Sequence, residues 1–392
     1  MNKYRNYIKM KIGIITFHDS HNCGSMLQAF ALCNILRDNF HQDAEIIDFA
    51  NEGSRQMYSL WSKRILYKSG KPNINVIMTN ISNLIHSEPI RKMMKDYEDF
   101  SARFLKKSSC SYRKTSDLNG IENNYDMLIS GGDQVWNICC ADADDAYFLC
   151  FARNVKRVAY SPSLGGRNIL KYAKNPDKYR RYLLDYNRLS VREINGQKWL
   201  QELTGRNIPI VPDPTLLYSA QEWCRVLPVP EVPGEYIFNY AFSYANDENN
   251  RLLQYISDKY HLPVYIIDAR SFYRYRLGER YGFQLYEKSG PLAFLGLMKN
   301  ARLVLTQSFH GTLFAAKFNR NFWSYKNAVV RDPDDDRARC ILNQLGLIDR
   351  YQTFSDLKEM DLFAPISYNL VNKQLDELHK NGRQFITDFL TL

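Results

Sequence analysis

The chain reads as an α/β protein built from two Rossmann-like domains, and three observations carry that reading. Its 392 residues suffice for two domains, and a composition of 45% hydrophobic and 14% aromatic residues supplies real cores. Short apolar runs, the mark of strands buried on both faces, alternate with stretches of helical spacing. Several of those runs end in polar turns bearing glycine, where open α/β sheets bind ligands.

The elements follow in order. Lys11 to Phe17 reads as a first strand, His18 to Gly24 as a polar loop, Ser25 to Leu36 as a helix and Ala44 to Phe49 as a second strand. This opening is a Rossmann-like half, and its loop is a standard anion cradle. It lacks G-x-G-x-x-G, so no dinucleotide site is assigned. His18, Asp19, His21, Asn22 and Gln28 are candidate polar lining. Two histidines alone do not make a metal site, because no third ligand is evident.

Residues 52 to 114 break the rhythm with 13 basic and five acidic residues, a net +8 within a chain of net +10. Within them Ile74 to Ile85 has helical spacing and a clear apolar face. The segment reads as a basic helical insertion. It is either packed on the domain or set against anionic lipid.

Asp126 to Ser130 reads as a strand that ends in Gly131, Gly132, Asp133, Gln134, Val135, Trp136 and Asn137. The glycines permit close backbone approach, Asp133 and Gln134 are polar, and Trp136 offers a stacking face. Arg157 to Ser161 is a further strand, ending in a turn with Ser161 and Ser163. Ser190 to Glu193 closes another, with Arg192 at its end. Convergence of these ends on one sheet edge builds a cleft.

The first domain is assigned to 1–226. Three prolines between Leu227 and Gly234 mark a linker. The second domain, 235–365, is read as strands at Tyr236–Tyr240, Val264–Ile267, Phe283–Tyr286 and Phe322–Tyr325, with helices at Asp247–Tyr260, Leu292–Asn300 and Arg337–Leu347. Leu303 to Leu305 is a buried strand, followed by Thr306, Gln307 and Ser308 and then a helix opening with Phe309, His310, Gly311 and Thr312. His310 thus lies where a buried strand gives way to a helix, a place suited to acid, base or anion-binding work. The three consecutive acids Asp334, Asp335 and Asp336 are not read as a metal site, since one sits at a helix start, where the dipole favours acids. Residues 366–392 read as a C-terminal helix that could pack back across the domains.

The eight cysteines form no C-x-x-C pair, so neither zinc nor an iron–sulfur cluster is expected, and a reducing, cytoplasmic setting fits. The first apolar run is too short for a signal peptide or a spanning helix, and no later stretch spans a membrane.

Six segments in order resemble the polysaccharide pyruvyl transferase family. They are NCGSMLQAFAL (22–32), ISGGDQVWN (129–137), YSPSLGG (160–166), SVRE (190–193), PDPTLLY (212–218) with Trp223, and LTQSFHGTLFA (305–315). The resemblance implies two domains facing a cleft in a GT-B-like arrangement. It also implies phosphoenolpyruvate as donor and co-substrate, with no other cofactor and no metal. The acceptor would be a sugar of a bacterial surface glycan, carried on polyprenyl diphosphate at the inner membrane face, which the protein would reach as a peripheral cytoplasmic enzyme. His310 matches the family's motif histidine. Members carry an arginine two residues earlier, where this chain has Ser308. Arg192 is the first substitute for it, with Arg337 and Arg339 behind. Asp133 is assigned to catalysis with His310. Asn22, Gly24, Gln28, Gly132, Gln134, Trp136, Ser161, Ser163, Ser308, Gly311 and Thr312 are assigned to substrate binding. Two other readings stay open: a GT-B-type glycosyltransferase using a nucleotide sugar, and a basic nucleic-acid-binding protein. No nucleic acid is expected as partner, because the basic excess lacks regularly interleaved aromatics.

Overall fold

The computed structural model describes residues 8–61, 67–68, 71–326, 335 and 337–392. The chain begins with β1 (Lys11–Ile15), α1 (Cys23–Asp38), β2 (Asp43–Phe49) and α2 (Glu52–Tyr58). A short hairpin, β3 (Tyr67–Lys68) and β4 (Lys71–Pro72), leads into α3 (Ile74–Ile85) and α4 (Ser87–Phe104). Then come β5 (Lys107–Tyr112), β6 (Met127–Gly131), β7 (Lys156–Tyr160), α5 (Ile169–Tyr172), α6 (Pro176–Leu184), α7 (Ile194–Thr204) and α8 (Ala220–Val226). The second half runs β8 (Ile237–Tyr240), α9 (Asp247–Tyr260), β9 (Val264–Ile266), α10 (Ala269–Arg274), α11 (Leu277–Tyr281), β10 (Gln284–Leu285) and α12 (Gly290–Asn300). It ends with β11 (Leu303–Thr306), α13 (Phe309–Lys317), β12 (Phe322–Lys326), α14 (Arg337–Gln344), β13 (Tyr351–Thr353) and α15 (Tyr368–Leu390).

Two parallel sheets result, in the orders β5-β2-β1-β6-β7 and β10-β9-β8-β11-β12-β13. In the first, the chain reverses its direction of travel between β1 and β6; in the second, between β8 and β11. A crevice opens at such a switch point, because the connections leave to opposite sides. Strands β1 beyond Lys11, β6 and β11 are buried on both faces, which is why their sequences are mostly apolar.

The structure revises the insertion. Its last residues are not helical but form β5, the edge strand beside β2. Its helices are not a free appendage either. Asp96 of α4 accepts from Ser289 N at 2.8 Å, and His86 stacks on Tyr273 with ring centroids 4.4 Å apart. Arg270 donates to Tyr58 O and Ser59 O at 2.7 and 2.9 Å. The insertion therefore ties the first domain to the second.

A core common to both halves makes the junction stiff. Trp223, with no exposed surface, packs Phe30 of α1 at 5.9 Å and Phe314 of α13 at 5.4 Å. Its Nε1 donates to Thr215 O at 3.1 Å, which satisfies the one polar atom. Helix α15 starts against the second domain, where Tyr368 bonds Arg320 O. It ends on the first, where Arg383 donates to Leu217 O and Phe385 meets Tyr160. Trp223→Ala should lower unfolding free energy by about 3–5 kcal/mol, the usual cost of emptying a buried aromatic site. Urea melts followed by tryptophan-independent circular dichroism check this; a loss below about 1 kcal/mol would mean the junction contributes little.

Candidate active site

The two switch points face each other, and His310 marks where they meet. Strand β11 ends at Thr306, and Ser308 is the extended residue that caps α13, its hydroxyl accepting from Gly311 N at 3.3 Å. A Cβ on Gly311 would fall 2.1 Å from Thr306 Oγ1, so a side chain there would force the turn open. His310 is 6% exposed in the first turn of α13. The start of α1, from the other domain, presses on its ring: a Cβ on Gly24 would lie 2.1 Å from His310 Nδ1. Gly24 therefore acts by being small, letting the helix backbone reach the imidazole.

The partner of His310 is a carboxylate absent from the sequence-based candidates. Asp213 Oδ2 lies 3.4 Å from His310 Nε2 and 2.7 Å from Arg192 Nη2. Its Oδ1 accepts from Thr215 N and Oγ1 at 2.8 and 2.6 Å. Burial pushes the Asp213 carboxyl up, but Arg192 and His310 outweigh it and hold it at about 2. The sequence signal was the PDPT run, where an Asp between two prolines follows a strand; only the fold shows what it faces.

Arg192 is 5% exposed, and Nη2 also donates to Gly132 O. Its Nε and Nη1, although buried, have no hydrogen-bond partner among the described residues. The guanidinium sits 4.8 Å from the centroid of the Phe309 ring. A cavity of about 160 Å³ opens beside it, lined among others by Glu193, Asp213, Phe309 and Arg337. Arg337 is held by Asp335, with Nε and Nη2 bonding its two oxygens at 2.8 and 2.6 Å. Two arginines thus line one small space, with His310 behind its wall at Asp213. Arg339 is exposed instead. A larger hollow of about 350 Å³ lies near Asn137, Asp144, Asp145 and Tyr179. Asp144 accepts from Thr115 and Asp145 pairs with Lys178, so that hollow suits an anion poorly.

Several assignments to substrate contact are corrected. Trp136 is fully buried, donates to Tyr147 O at 3.1 Å and stacks on Phe148, so it is a core side chain and offers no free face. Gln28 is fully buried, and its amide donates to Thr16, Phe17 and Ser25. Ser161 donates to Val211 O, and Ser163 to Glu193 Oε1; both are fully buried. Thr312 is spent on Ser308 O and Ser324 Oγ. Asn22 caps α1 by accepting from Gly24 N and Ser25 N. Ser308 caps α13 and cannot replace an arginine. These residues shape the walls of the site.

Gly132, at φ +99°, leaves room for Gln28 Oε1, which would lie 1.8 Å from a Cβ there. Asp133 accepts from Ser25 Oγ at 2.5 Å and from Gln134 N at 2.7 Å. It makes neither a hydrogen bond nor an ion pair with His310, so Asp213 is the carboxylate at the imidazole. Gln134 accepts from Asn137 beside Gly165. Across the seam, His21 stacks on Tyr97 with centroids 5.1 Å apart; burial, aided by Arg270, pushes it down to about 4, so it is neutral near pH 7. Among the described residues no group of acids, histidines and cysteines is arranged to hold a metal ion.

Two parallel-sheet domains meeting at a seam define a GT-B-like architecture. The chain belongs to the polysaccharide pyruvyl transferase family, whose profile matches residues 22–328, and it is therefore a transferase. Solved structures of similar fold include the UDP-GlcNAc 2-epimerase of Methanocaldococcus jannaschii, with 13% identity, TM-score 0.51, and coverage of 98% of this chain and 100% of that one. The Neisseria meningitidis UDP-GlcNAc 2-epimerase has 11% identity, TM-score 0.49, and coverage of 95% and 93%. An E. coli heptosyltransferase has 14% identity, TM-score 0.38, and coverage of 82% and 90%. At 13% identity the first of these likenesses speaks to fold alone. Comparison with curated protein sequences gave no match.

Two outcomes follow from this geometry. Gly24→Ala should preserve α1, since alanine favours helix, yet displace His310 and cost about two orders of magnitude in turnover. Unchanged turnover would show that the close approach is incidental. Second, Asp213 takes its proton near pH 2 when folded but near 3.8 when unfolded, so between these values the unfolded chain binds more protons. Stability on the order of 2 kcal/mol, complete above about pH 4, is therefore lost as pH falls toward 2. Asp213→Asn should flatten this acid limb in denaturant melts; an unaltered limb would assign it to other groups.

Proposed function

We propose that the protein transfers a pyruvyl group from phosphoenolpyruvate to two hydroxyls of one sugar, forming a ketal during bacterial surface polysaccharide biosynthesis. The observation that carries the reading is the small cavity holding Arg192, Arg337 and, beside it, His310 with Asp213. Phosphoenolpyruvate bears a carboxylate and a phosphate, and planar guanidinium forks suit both. A nucleotide sugar needs a pocket on the scale of several hundred Å³. A cavity of about 160 Å³ favours the smaller donor.

The chemistry balances without a redox partner. The methylene carbon of the donor gains a proton, and C2 becomes oxocarbenium-like. Two sugar hydroxyls add in turn to C2, the C2–O bond to phosphate breaks, and phosphate leaves. One hydroxyl proton replaces that delivered to the methyl group and the other leaves with phosphate. Arg192 Nε and Nη1 are the unpaired donors for the anion. Asp213 orients Arg192 and His310 together. To His310, whose Nε2 lies 3.4 Å from Asp213, we assign the movement of protons to carbon and from hydroxyl. The acceptor we propose is a glycan precursor on polyprenyl diphosphate, met at the cytoplasmic face of the inner membrane.

Incubation with phosphoenolpyruvate and a panel of lipid-linked sugars, followed by mass spectrometry and phosphate release, tests the reading. The expected result is a ketal product with one phosphate released per pyruvyl group. Thermal stabilisation by UDP-sugars, with none by phosphoenolpyruvate, would replace it with nucleotide-sugar transfer. His310→Ala should keep a near-normal melting point and lose at least about two orders of magnitude in rate. Wild-type rates in that variant would remove His310 from the chemistry. Arg192→Lys keeps a cation for Asp213 but loses the fork, so the donor KM should rise about tenfold or more. An unchanged donor saturation curve would transfer the role to Arg337.

A further inference from the structure

Helix α3 is built inside out. A surface helix of a globular protein turns its apolar stripe to the core. Here Ile74, Met78, Ile81 and Ile85 recur at spacings of four, three and four, and they are 71%, 44%, 42% and 71% exposed. Leu84 beside them is 51% exposed. The polar Asn80 and Asn83 face inward, each 2% exposed, and Asn83 Nδ2 donates to Leu60 O at 3.1 Å. Next along the chain from Leu60, Trp61 is 38% exposed. Among the described residues nothing covers this face.

Charge identifies what does. From Gly53 to Ser87 the sequence holds Arg55, Lys63, Arg64, Lys68 and Lys71 and no acid. Helix α3 carries no charge of its own. On α4, Arg91 and Lys92 are exposed. An apolar, uncharged helix with a basic excess in the sequence around it, five cations before it and Arg91 and Lys92 against Glu88 after it, suits the boundary between acyl chains and anionic headgroups. A second protein copy would present the same cations and repel. Among the described residues no helix is long and apolar enough to cross a membrane, so contact is along the surface.

We infer that α3 is an interfacial helix that docks the protein on anionic lipid. Its position gives the docking a purpose. The segment just before it, at Tyr58 and Ser59, is clamped by Arg270 of the second domain, and Tyr58 also packs on His21 in the seam. The residue after it, His86, stacks on Tyr273. A lipid surface under α3 would lie beside the seam that holds the active site. The inference deepens the proposed function by naming where the acceptor is met. Lipid binding is read without turnover, so the two can fail separately.

Flotation with vesicles of phosphatidylcholine alone, or with phosphatidylglycerol added, tests it. Wild type should float with the anionic vesicles at low salt and at least about tenfold less with neutral ones. The exposed double variant Ile81→Ser/Ile85→Ser should fold normally and lose most flotation. Arg91→Glu/Lys92→Glu should weaken it in a salt-dependent way. Equal flotation with both vesicle types, or an undiminished serine variant, overturns the inference. So does sedimentation showing a wild-type dimer that the serine variant converts to monomer, because the face would then join two copies.

Discussion

The constraint on which the site depends is a single buried negative charge. Asp213 has no exposed surface in its side chain, and a carboxylate taken out of water is costly unless it is paired and hydrogen-bonded. Thr215 satisfies one oxygen, and Arg192 with His310 surrounds the other. The same arrangement fixes both cationic partners. Arg192 is left with unused donors, and His310 is held with its ring against the first domain. A pair that is weak evidence for stability is here a device for position, since removing Asp213 would leave a buried arginine uncompensated.

That device works only if the two domains are held close. Asp213 and Arg192 come from the first domain and His310 from the second. Gly24 removes the side chain that would separate them, while Trp223 and α15 bind the halves through shared apolar surface. The insertion adds the Asp96–Ser289 and Arg270–Tyr58 bonds on the other side of the seam. Crevices at both switch points are thereby merged into one site.

Much of this was legible in the sequence, and the failures have physical causes. Strands such as Leu303–Thr306 announce themselves because burial on both faces demands continuous apolar residues. Strand β5, KSSCSY, does not, because an edge strand is mostly solvated and its pairing with β2 is long-range. His310 was readable from the strand-to-helix turn. Asp213 was not singled out, because its role comes from residues far along the chain. Trp136 misled because a tryptophan among polar residues resembles a stacking platform, whereas its indole is turned into the core onto Phe148. Gln28, Ser161, Ser163 and Thr312 misled for the same reason: polar side chains at strand ends also serve to satisfy buried backbone and neighbouring groups. The amphipathic spacing of α3 was visible, but spacing alone does not say which face is inward.

The central claim is that Asp213 makes Arg192 part of one charge unit built for a small, multiply charged donor. The most direct measurement is a double-mutant cycle on phosphoenolpyruvate affinity, by calorimetry, with Asp213→Asn, Arg192→Lys and the double variant. The account predicts a coupling on the order of 1 kcal/mol or more, because each substitution changes what the other residue can do. Effects that add to within about 0.3–0.5 kcal/mol would mean that the two act independently, and would contradict it.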